Sequence, residues 1–127
     1  MPRAFPIVYV PDVPRSAAFY AGRLGFQEIF RMPPGDDAGY VGLELDGSRL
    51  GIVDEAWPAE RIGVRRGDGP RFELWVYVDD LDARVSELRA AGVPVLAEPE
   101  DMPWGERMAY VSDPDGNPVA LASPPPI

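Results

Sequence analysis

The sequence predicts an α+β fold built from two tandem βαβββ modules, and three observations support this prediction. Val8-Tyr9-Val10 followed by Asp12 recurs later in the chain as Val76-Tyr77-Val78 followed by Asp80. Each copy leads into an amphipathic segment of helical period. Each half then ends in two short apolar runs around an Asp-Gly pair, which is typical of a hairpin. The chain is therefore predicted to be an internal duplication.

Two amphipathic helices are predicted, at residues 13–23 and 81–91. Apolar residues recur in both segments at intervals of three or four, as a helix with one buried face requires. Asp12 and Asp80 stand where N-cap residues are favoured, and Gly25 and Gly92 stand where helices end.

The other regular segments are predicted to be strands, at residues 5–10, 26–32, 39–45 and 49–54, and again at 71–78, 94–97, 107–112 and 118–122. Asp46-Gly47 and Asp115-Gly116 are predicted to form the two hairpin turns. The chain is thus expected to be one domain over residues 1–127. Module 1 covers about 4–55, a linker rich in Pro, Gly and Arg covers about 56–70, and module 2 covers about 71–123.

Composition limits the chemistry that this chain can perform. With 127 residues and 46% hydrophobic content, it has enough apolar surface for the core of one domain. It contains no Cys, His, Lys or Thr. These absences exclude a thiolate nucleophile, a Ser-His-Asp triad, a Cys/His zinc site, a Walker-type phosphate loop and a Schiff base. Catalysis would have to use carboxylates, Tyr or Arg.

The charge balance excludes further partners. Twenty-one acidic residues against 12 basic ones give a net charge of −9, which repels nucleic acid and anionic lipid surfaces. The first residues lack an apolar signal core, and no apolar run approaches the length of a membrane span. We therefore expect a cytoplasmic protein that binds neither nucleic acid nor a membrane.

Strand alternation separates two faces of the predicted sheets. One face is uniformly aliphatic and is expected to lie under the helices. The opposite face mixes aromatic, acidic and very small residues: Phe5, Ile7, Tyr9, Tyr40, Gly42, Glu44, Gly51, Glu73, Trp75, Tyr77 and Ala120. The small residues beside large rings favour a cavity. The same face could instead form a dimer interface, and the two interpretations are compatible.

Several of these segments resemble a known family. The run from Val10-Pro11-Asp12-Val13 through Phe19-Tyr20 to Leu24-Gly25-Phe26 resembles the first strand and helix of the vicinal oxygen chelate superfamily, the glyoxalase, bleomycin-resistance and dioxygenase group. Pro103-Trp104-Gly105 and Asp113-Pro114-Asp115-Gly116-Asn117 resemble its last loop and hairpin. The resemblance implies that the two modules form a cup-shaped mixed sheet and that the protein is a homodimer.

The resemblance also implies where a metal would bind. Family members that are metal enzymes take four ligands, usually His and Glu, from the first and last strands of each half. Here those positions fall on Phe5, on Gly51 or Ile52, on Glu73 and on Ala120. Only Glu73 has a metal-binding side chain, so no metal and no other cofactor are expected.

The chain is most similar in pattern to the metal-free branch, whose bleomycin-resistance-like dimers sequester a drug. This similarity implies a binder of an aromatic or cationic small molecule, with antibiotic sequestration as its use. The predicted ligand-binding residues are Phe5, Ile7, Tyr9, Tyr40, Glu44, Glu73, Trp75, Tyr77 and Trp104. Their rings suit stacking and cation–π contacts, and their carboxylates suit a cation.

The alternative is a small-molecule lyase, isomerase or dioxygenase-like enzyme with a carboxylate base or an atypical metal site. Glu73 is the candidate catalytic base, and Glu44 is the second choice. Glu73 could instead form a salt bridge with Arg71 or Arg107. Trp104 is open between a lid over the ligand and a plug at a hydrophobic edge.

Overall fold

The computed structural model describes residues 4–123. The chain forms two compact units, unit 1 running to Asp68 and unit 2 beginning at Gly69. Each unit contains one four-stranded mixed sheet with a helix against one face. The predicted α+β class and the two βαβββ modules are therefore confirmed.

Unit 1 contains four strands and two helices. Its elements are β1 (Ile7–Val10), α1 (Val13–Leu24), β2 (Gln27–Met32), β3 (Tyr40–Leu45), β4 (Ser48–Asp54) and α2 (Ala56–Ile62). The strand order is β1-β4-β3-β2, with β1 parallel to β4 and the other pairs antiparallel.

Unit 2 repeats this arrangement. Its elements are β5 (Leu74–Tyr77), α3 (Leu81–Ala90), β6 (Val95–Asp101), β7 (Arg107–Ser112) and β8 (Pro118–Ala122). The strand order is β5-β8-β7-β6, again with one parallel pair, β5 with β8.

The two main helices begin with the same cap. Asp12 Oδ1 accepts the backbone N–H of Arg15 at 3.1 Å, and Asp80 Oδ1 accepts that of Ala83 at 3.2 Å. Each bond satisfies one of the amides that a helix start leaves without a partner. Gly25, with φ 86°, ends α1 in the left-handed conformation that glycine tolerates best. The sequence signals for both helix starts are therefore confirmed.

Each helix covers the aliphatic face of its own sheet. In unit 1 the fully buried residues include Tyr20 from α1 and Val41, Leu43 and Ile52 from the sheet. In unit 2 they include Val111, Val119 and Leu121, which lie with Val85 of α3 in the core. Among residues 4–123, neither unit places a second core helix of its own over the opposite face of its sheet, and we call that face the open face.

The predicted linker is only partly irregular, because residues 56–62 form α2. Pro58 lies in the first turn of this helix, where its missing N–H has no helical partner to lose. Asp54 Oδ1 accepts the backbone N–H of Ala56 at 2.9 Å, and Gly63, with φ 68°, follows the last turn. The segment is too short to show a helical period, which is why the sequence pattern did not predict it.

Strand boundaries differ from the prediction at three places. β1 and β5 begin later than predicted, so Phe5 and Glu73 precede them rather than lie in them. Near Glu73 the backbone N–H of Arg71 bonds to Asn117 Oδ1 at 2.8 Å, which diverts it from the strand ladder. β6 extends to Asp101 despite Pro99, which an edge strand tolerates.

Candidate functional site

The open face of unit 1 is ordered by strand register. Tyr9, Val53, Tyr40 and Met32 form one row across the four strands. Ile7, Gly51, Gly42 and Phe30 form the next row. Directly paired residues of neighbouring strands point to the same side of a sheet, so these side chains share one face. The sheet thus brings together Ile7, Tyr9 and Tyr40, as predicted from the alternation.

A cavity of about 830 Å³ lies between this open face and α2, and we call it the unit 1 cavity. From the sheet it is lined mainly by Ile7, Tyr9, Met32 and Tyr40, and from α2 by Trp57, Glu60, Arg61 and Ile62. Asp54, at the junction of β4 and α2, also contributes to the lining. The volume is in the range of pockets that hold drug-sized molecules.

The residues of α2 are the part of this cavity that the sequence did not predict. Trp57 is 57% exposed, although an indole is a large and mainly apolar side chain. The Arg61 guanidinium lies 4.4 Å from the centroid of the Trp57 ring, within range of a cation–π contact. Trp57 and Arg61 are four residues apart, so one helical turn accounts for the contact.

The electrostatics of the unit 1 cavity favour a cation. Asp54 and Glu60 contribute two negative charges, and Arg61 contributes one positive charge. One carboxylate oxygen of Asp54 already accepts the backbone N–H of Ala56 at the start of α2. The charged groups on the lining therefore sum to one negative charge, beside three aromatic rings.

Phe5 and Glu44 lie outside the unit 1 cavity. Phe5 is 41% exposed and borders a smaller pocket of about 380 Å³ with Phe30, Tyr40 and Arg49. Glu44 pairs across the sheet with Arg49, with 3.7 Å between the carboxylate Oε2 and the guanidinium Nε. Glu44 is therefore partly neutralised by its own unit.

The small residues do not provide open space as expected. A Cβ placed on Gly51 would lie 2.8 Å from the Tyr40 hydroxyl and 3.0 Å from Ile7 Cγ1. The Tyr40 ring thus already lies over Gly51, and the concave space is beside α2 instead. In unit 2, Ala120 is fully buried in a cluster with Ala122 and Met108, against which Met102 and Tyr110 pack.

The open face of unit 2 carries a group that we call the aromatic cluster: Trp75, Tyr77, Trp104 and Glu106. Strand register places Trp75 beside Ala120 and Tyr77 beside Ala122. The Trp75 and Tyr77 rings meet edge to face, with centroids 6.1 Å apart. Three of the predicted ligand-binding residues, Trp75, Tyr77 and Trp104, are therefore in one place, and all three are exposed.

Glu106 holds the aromatic cluster together, and sequence reasoning missed it. Its Oε2 accepts the Tyr77 hydroxyl at 2.7 Å, and its Oε1 accepts the indole N–H of Trp104 at 2.7 Å. Only 9% of Glu106 is exposed, whereas 60% of Trp104 is. Trp104 is thus anchored by its nitrogen while its ring faces solvent. Glu106 directly follows Pro103-Trp104-Gly105 in the chain, and this position was the signal available in the sequence.

The hydrogen bond to Glu106 raises the pKa of the Tyr77 phenol. Ionisation would break that bond, and desolvation together with the negative charge of Glu106 opposes it further. Tyr77 therefore remains a neutral hydrogen-bond donor well above neutral pH.

Glu73 forms neither of the salt bridges considered from the sequence. It is exposed and accepts the Tyr110 hydroxyl at 3.4 Å. Burial, followed by the charge of Glu73, raises the pKa of Tyr110. Arg107 instead pairs with Asp82 and Asp101. Glu73 thus has no ion-pair partner among residues 4–123.

The residues at the family's metal-ligand positions do not fit a metal. Phe5, Gly51 and Ala120 offer no side-chain donor, and Glu73 alone supplies one carboxylate. Across residues 4–123, no three carboxylate side chains converge in a group that could hold an ion. A divalent cation in a protein site generally takes three or more protein ligands. We therefore assign no chemical step to a metal.

None of the helices within the described part of the chain is long and apolar enough to cross a membrane. The longest, α1, has 12 residues.

Comparison with known proteins agrees with this fold. The family model described as Glyoxalase/Bleomycin resistance protein/Dioxygenase superfamily matches residues 4–121. A relative from Mycobacterium bovis, named "Putative glyoxylase CFP32", is 40% identical over 55 residues, which are 43% of this chain and 21% of that protein. The match therefore spans about a fifth of the length of that curated relative.

Solved structures are similar over nearly the whole chain. A glyoxalase/bleomycin resistance protein/dioxygenase family enzyme from Burkholderia phytofirmans PsJN has 26% identity and a TM-score of 0.78, covering 92% of this chain and 94% of its own. Lactoylglutathione lyase from Agrobacterium tumefaciens has 21% identity and a TM-score of 0.73, covering 95% and 92%. That second likeness concerns the fold alone. With the family model matched over residues 4–121, the chain belongs to the glyoxalase/bleomycin resistance protein/dioxygenase superfamily.

Proposed function

We propose that this protein binds a planar organic cation in the unit 1 cavity and that its use is to sequester an antibiotic or a similar compound. The observation that carries the proposal is the cavity of about 830 Å³, whose lining combines aromatic and aliphatic side chains with two carboxylates. The superfamily to which the chain belongs is named for bleomycin resistance proteins among others, which supports a sequestering role.

The physical basis is stacking combined with charge. Tyr9, Tyr40 and Trp57 offer ring faces to an aromatic ligand, and Asp54 and Glu60 offer charge to its cationic group. A cation over an aromatic ring gains about 0.5 to 2 kcal/mol, depending on how far it is desolvated. Arg61 already makes such a contact with Trp57, so a cationic ligand would compete with a side chain of the protein itself.

The test is a fluorescence titration with two acridines of opposite charge. We expect 9-aminoacridine, a cation at neutral pH, to quench tryptophan emission and to bind at least about tenfold tighter than the anion acridine-9-carboxylate. Glu60→Gln, which removes one carboxylate from the lining, should weaken 9-aminoacridine binding about fivefold. The matched control is Glu87→Gln, which removes one exposed charge on α3 of unit 2 and should keep the affinity. Equal affinity for the two acridines would contradict the proposal, as would unchanged 9-aminoacridine affinity in Glu60→Gln.

Homodimerisation is part of the proposal. β2 is an edge strand of its sheet, and it exposes the large apolar side chains Ile29, Phe30 and Met32. An edge strand of this kind is a surface for pairing with another chain. We expect sedimentation at micromolar concentration to give a dimer and Phe30→Glu to shift it to a monomer. A monomer in the unaltered protein would count against this part.

Glu73 supports a second candidate, an enzyme with a carboxylate base. The exposed Glu73 carboxylate lies beside the Tyr110 phenol, whose raised pKa keeps it a proton donor to a developing oxyanion. Turnover by such an enzyme would survive exhaustive chelation and fall by at least about a hundredfold in Glu73→Gln. Turnover that needs added metal, or that is unchanged in Glu73→Gln, would exclude it.

A further inference from the structure

Glu106 is a buried carboxylate for which residues 4–123 provide no cationic partner. Its two hydrogen bonds come from the Tyr77 phenol and the Trp104 indole, which are both neutral. The arginines of unit 2 have other partners: Arg107 pairs with Asp82 and Asp101, Arg89 with Glu98 and Arg84 with Glu87, and Arg71 bonds to Asn117. A buried charge is normally compensated by an opposite charge. In the aromatic cluster, the negative charge of Glu106 therefore lacks the opposite charge that would compensate it, and a bound cation could supply that charge.

The rings around Glu106 are suited to bind such a cation. A phenol or an indole that donates its proton to a carboxylate gains electron density, which strengthens the attraction of its ring face for a cation. Tyr77 is 50% exposed and Trp104 is 60% exposed, so solutes can reach both rings. Trp75 adds a third ring through its edge-to-face contact with Tyr77.

The same geometry disfavours a small hydrated metal ion. Each Glu106 oxygen already accepts a hydrogen bond at 2.7 Å, and the carboxylate itself is nearly covered. The negative charge of Glu106 therefore acts on solutes across the rings that cover it, not by direct contact with the carboxylate. A large, weakly hydrated cation loses little hydration on such a surface, which is how aromatic cages select quaternary ammonium groups.

We propose that unit 2 contains a binding site for a quaternary ammonium group of the trimethylammonium class, formed by the ring faces of Trp75, Tyr77 and Trp104 with Glu106 behind them. This site rests on unit 2 alone and goes beyond the function proposed for the unit 1 cavity. Glu106 acts as a positioning residue: its two hydrogen bonds fix the rings of Tyr77 and Trp104, and its negative charge strengthens the attraction of these rings for a cation.

The probe pair is choline and its neutral isostere 3,3-dimethylbutan-1-ol, titrated into the full chain. Trp57→Phe is the reporter background, because it leaves Trp75 and Trp104 as the remaining indoles. We expect choline to change their emission and to bind at least about tenfold tighter than the alcohol. Calorimetry on the unaltered protein should give the same ratio. Equal binding of the two probes, or no binding of choline, would overturn the proposal.

Glu106→Gln tests the role of the charge. Glutamine has the same shape and can still accept from the indole and bond to the phenol, so the fold should persist, as checked by thermal unfolding. We expect Glu106→Gln to weaken choline about fivefold to tenfold and to leave the alcohol unchanged. The matched control is Glu87→Gln, which removes one exposed charge on α3 and should not change choline affinity.

Two results of the variant experiments would overturn the proposal. One is choline affinity in Glu106→Gln equal to that of the unaltered protein, and the other is an equal loss in Glu87→Gln, which would indicate a general charge effect. If Glu106→Gln unfolds, Trp104→Ala serves instead, because it removes one exposed ring while Tyr77 keeps its bond to Glu106. Unchanged choline affinity in Trp104→Ala would also contradict the proposal.

Discussion

The open faces of the two units differ although their scaffolds match. In both, a helix capped by Asp follows the first strand, and the first and last strands are parallel neighbours. Unit 1 adds α2 and encloses a cavity beside Tyr40, whereas unit 2 fills the space over Ala120 and anchors its rings on Glu106. The two units thus share their backbone arrangement through duplication, and a few side chains on the open face determine whether that face has a cavity or an exposed group of rings.

The turns before the last strands provide the sharpest contrast in stability. In unit 1, Asp46 and Gly47 form a two-residue turn with φ 46° and 88°. In unit 2, Asp113 is buried and accepts the backbone N–H groups of Asp115 and Asn117 at Oδ1 and the Asn117 side-chain amide at Oδ2. We expect Asp113→Asn to lower the free energy of unfolding by at least about 2 kcal/mol, because the N–H groups of the introduced amide would face the N–H groups of the Asn117 side chain, with no acceptor between them. Asp46→Asn should cost less than about 0.5 kcal/mol, because Asn suits that turn.

Urea unfolding of both variants measures this difference. Asn117 cannot simply turn its amide over, because its Oδ1 accepts the backbone N–H of Arg71. Equal losses of unfolding free energy in Asp113→Asn and Asp46→Asn would show that the two turns contribute alike and would break the comparison.

The two helix caps should show where the units are the same. Asp12→Ala and Asp80→Ala each remove one side-chain bond to a backbone amide of the first turn. Each is expected to lower the free energy of unfolding by about 1 kcal/mol. Chemical denaturation followed by circular dichroism checks this. A difference between the variants of more than about 1 kcal/mol would mean that the duplicated scaffold is not energetically equivalent.

Ionisation of Tyr77 tests the link between Glu106 and the rings of unit 2. Glu106→Gln removes the negative charge that, through the hydrogen bond, raises the pKa of Tyr77. We expect the pKa of Tyr77 to fall in this variant, measured by tyrosinate absorbance with Tyr77→Phe identifying the titration step. An unchanged titration curve would show that the carboxylate is not in contact with the phenol in solution.

The smallest expected effect concerns acid stability and exposed ion pairs, one in each unit. Hydrogen bonding to Arg107 lowers the pKa of Asp82, and hydrogen bonding to Arg31 lowers that of Glu28. A carboxyl whose folded-state pKa is lowered contributes stability above its unfolded-state pKa and loses it as the pH falls through the folded-state value.

Arg107→Gln should therefore lower the Tm slightly near neutral pH. The gap to the unaltered protein should narrow as the pH falls below about 4, the ordinary range of an aspartate. Arg31→Gln should behave in the same way in unit 1. A gap that widens in acid would contradict the assignment of these ion pairs.

The sequence predicted those features that depend on local pattern. Repeated strand and helix periods, the Asp caps and the Asp-Gly turns were sufficient to place α1, α3 and most strands. The sequence did not predict α2, because the segment is too short to show a helical period and contains Pro58, which a helix tolerates in its first turn. It also did not predict the full length of β6, because Pro99 is tolerated only in an edge strand and the pattern does not show which strand lies at an edge.

The candidate site was predictable only in part. Alternation correctly grouped Ile7, Tyr9 and Tyr40, and also Trp75 and Tyr77, because register follows strand period. The roles of Trp57 and Glu106 depend on side-chain contacts with partners that no period encodes. Likewise, Gly51 suggested open space, but Tyr40 occupies it.

The most direct test of a cation-binding cavity is a crystal structure of the full chain with 9-aminoacridine. We expect the acridine ring to lie against Trp57 and Tyr40, with its amino group towards Asp54 or Glu60 and with Arg61 displaced from the indole. A crystal saturated with the dye in which Arg61 still covers Trp57 and the unit 1 cavity holds only solvent would contradict this account.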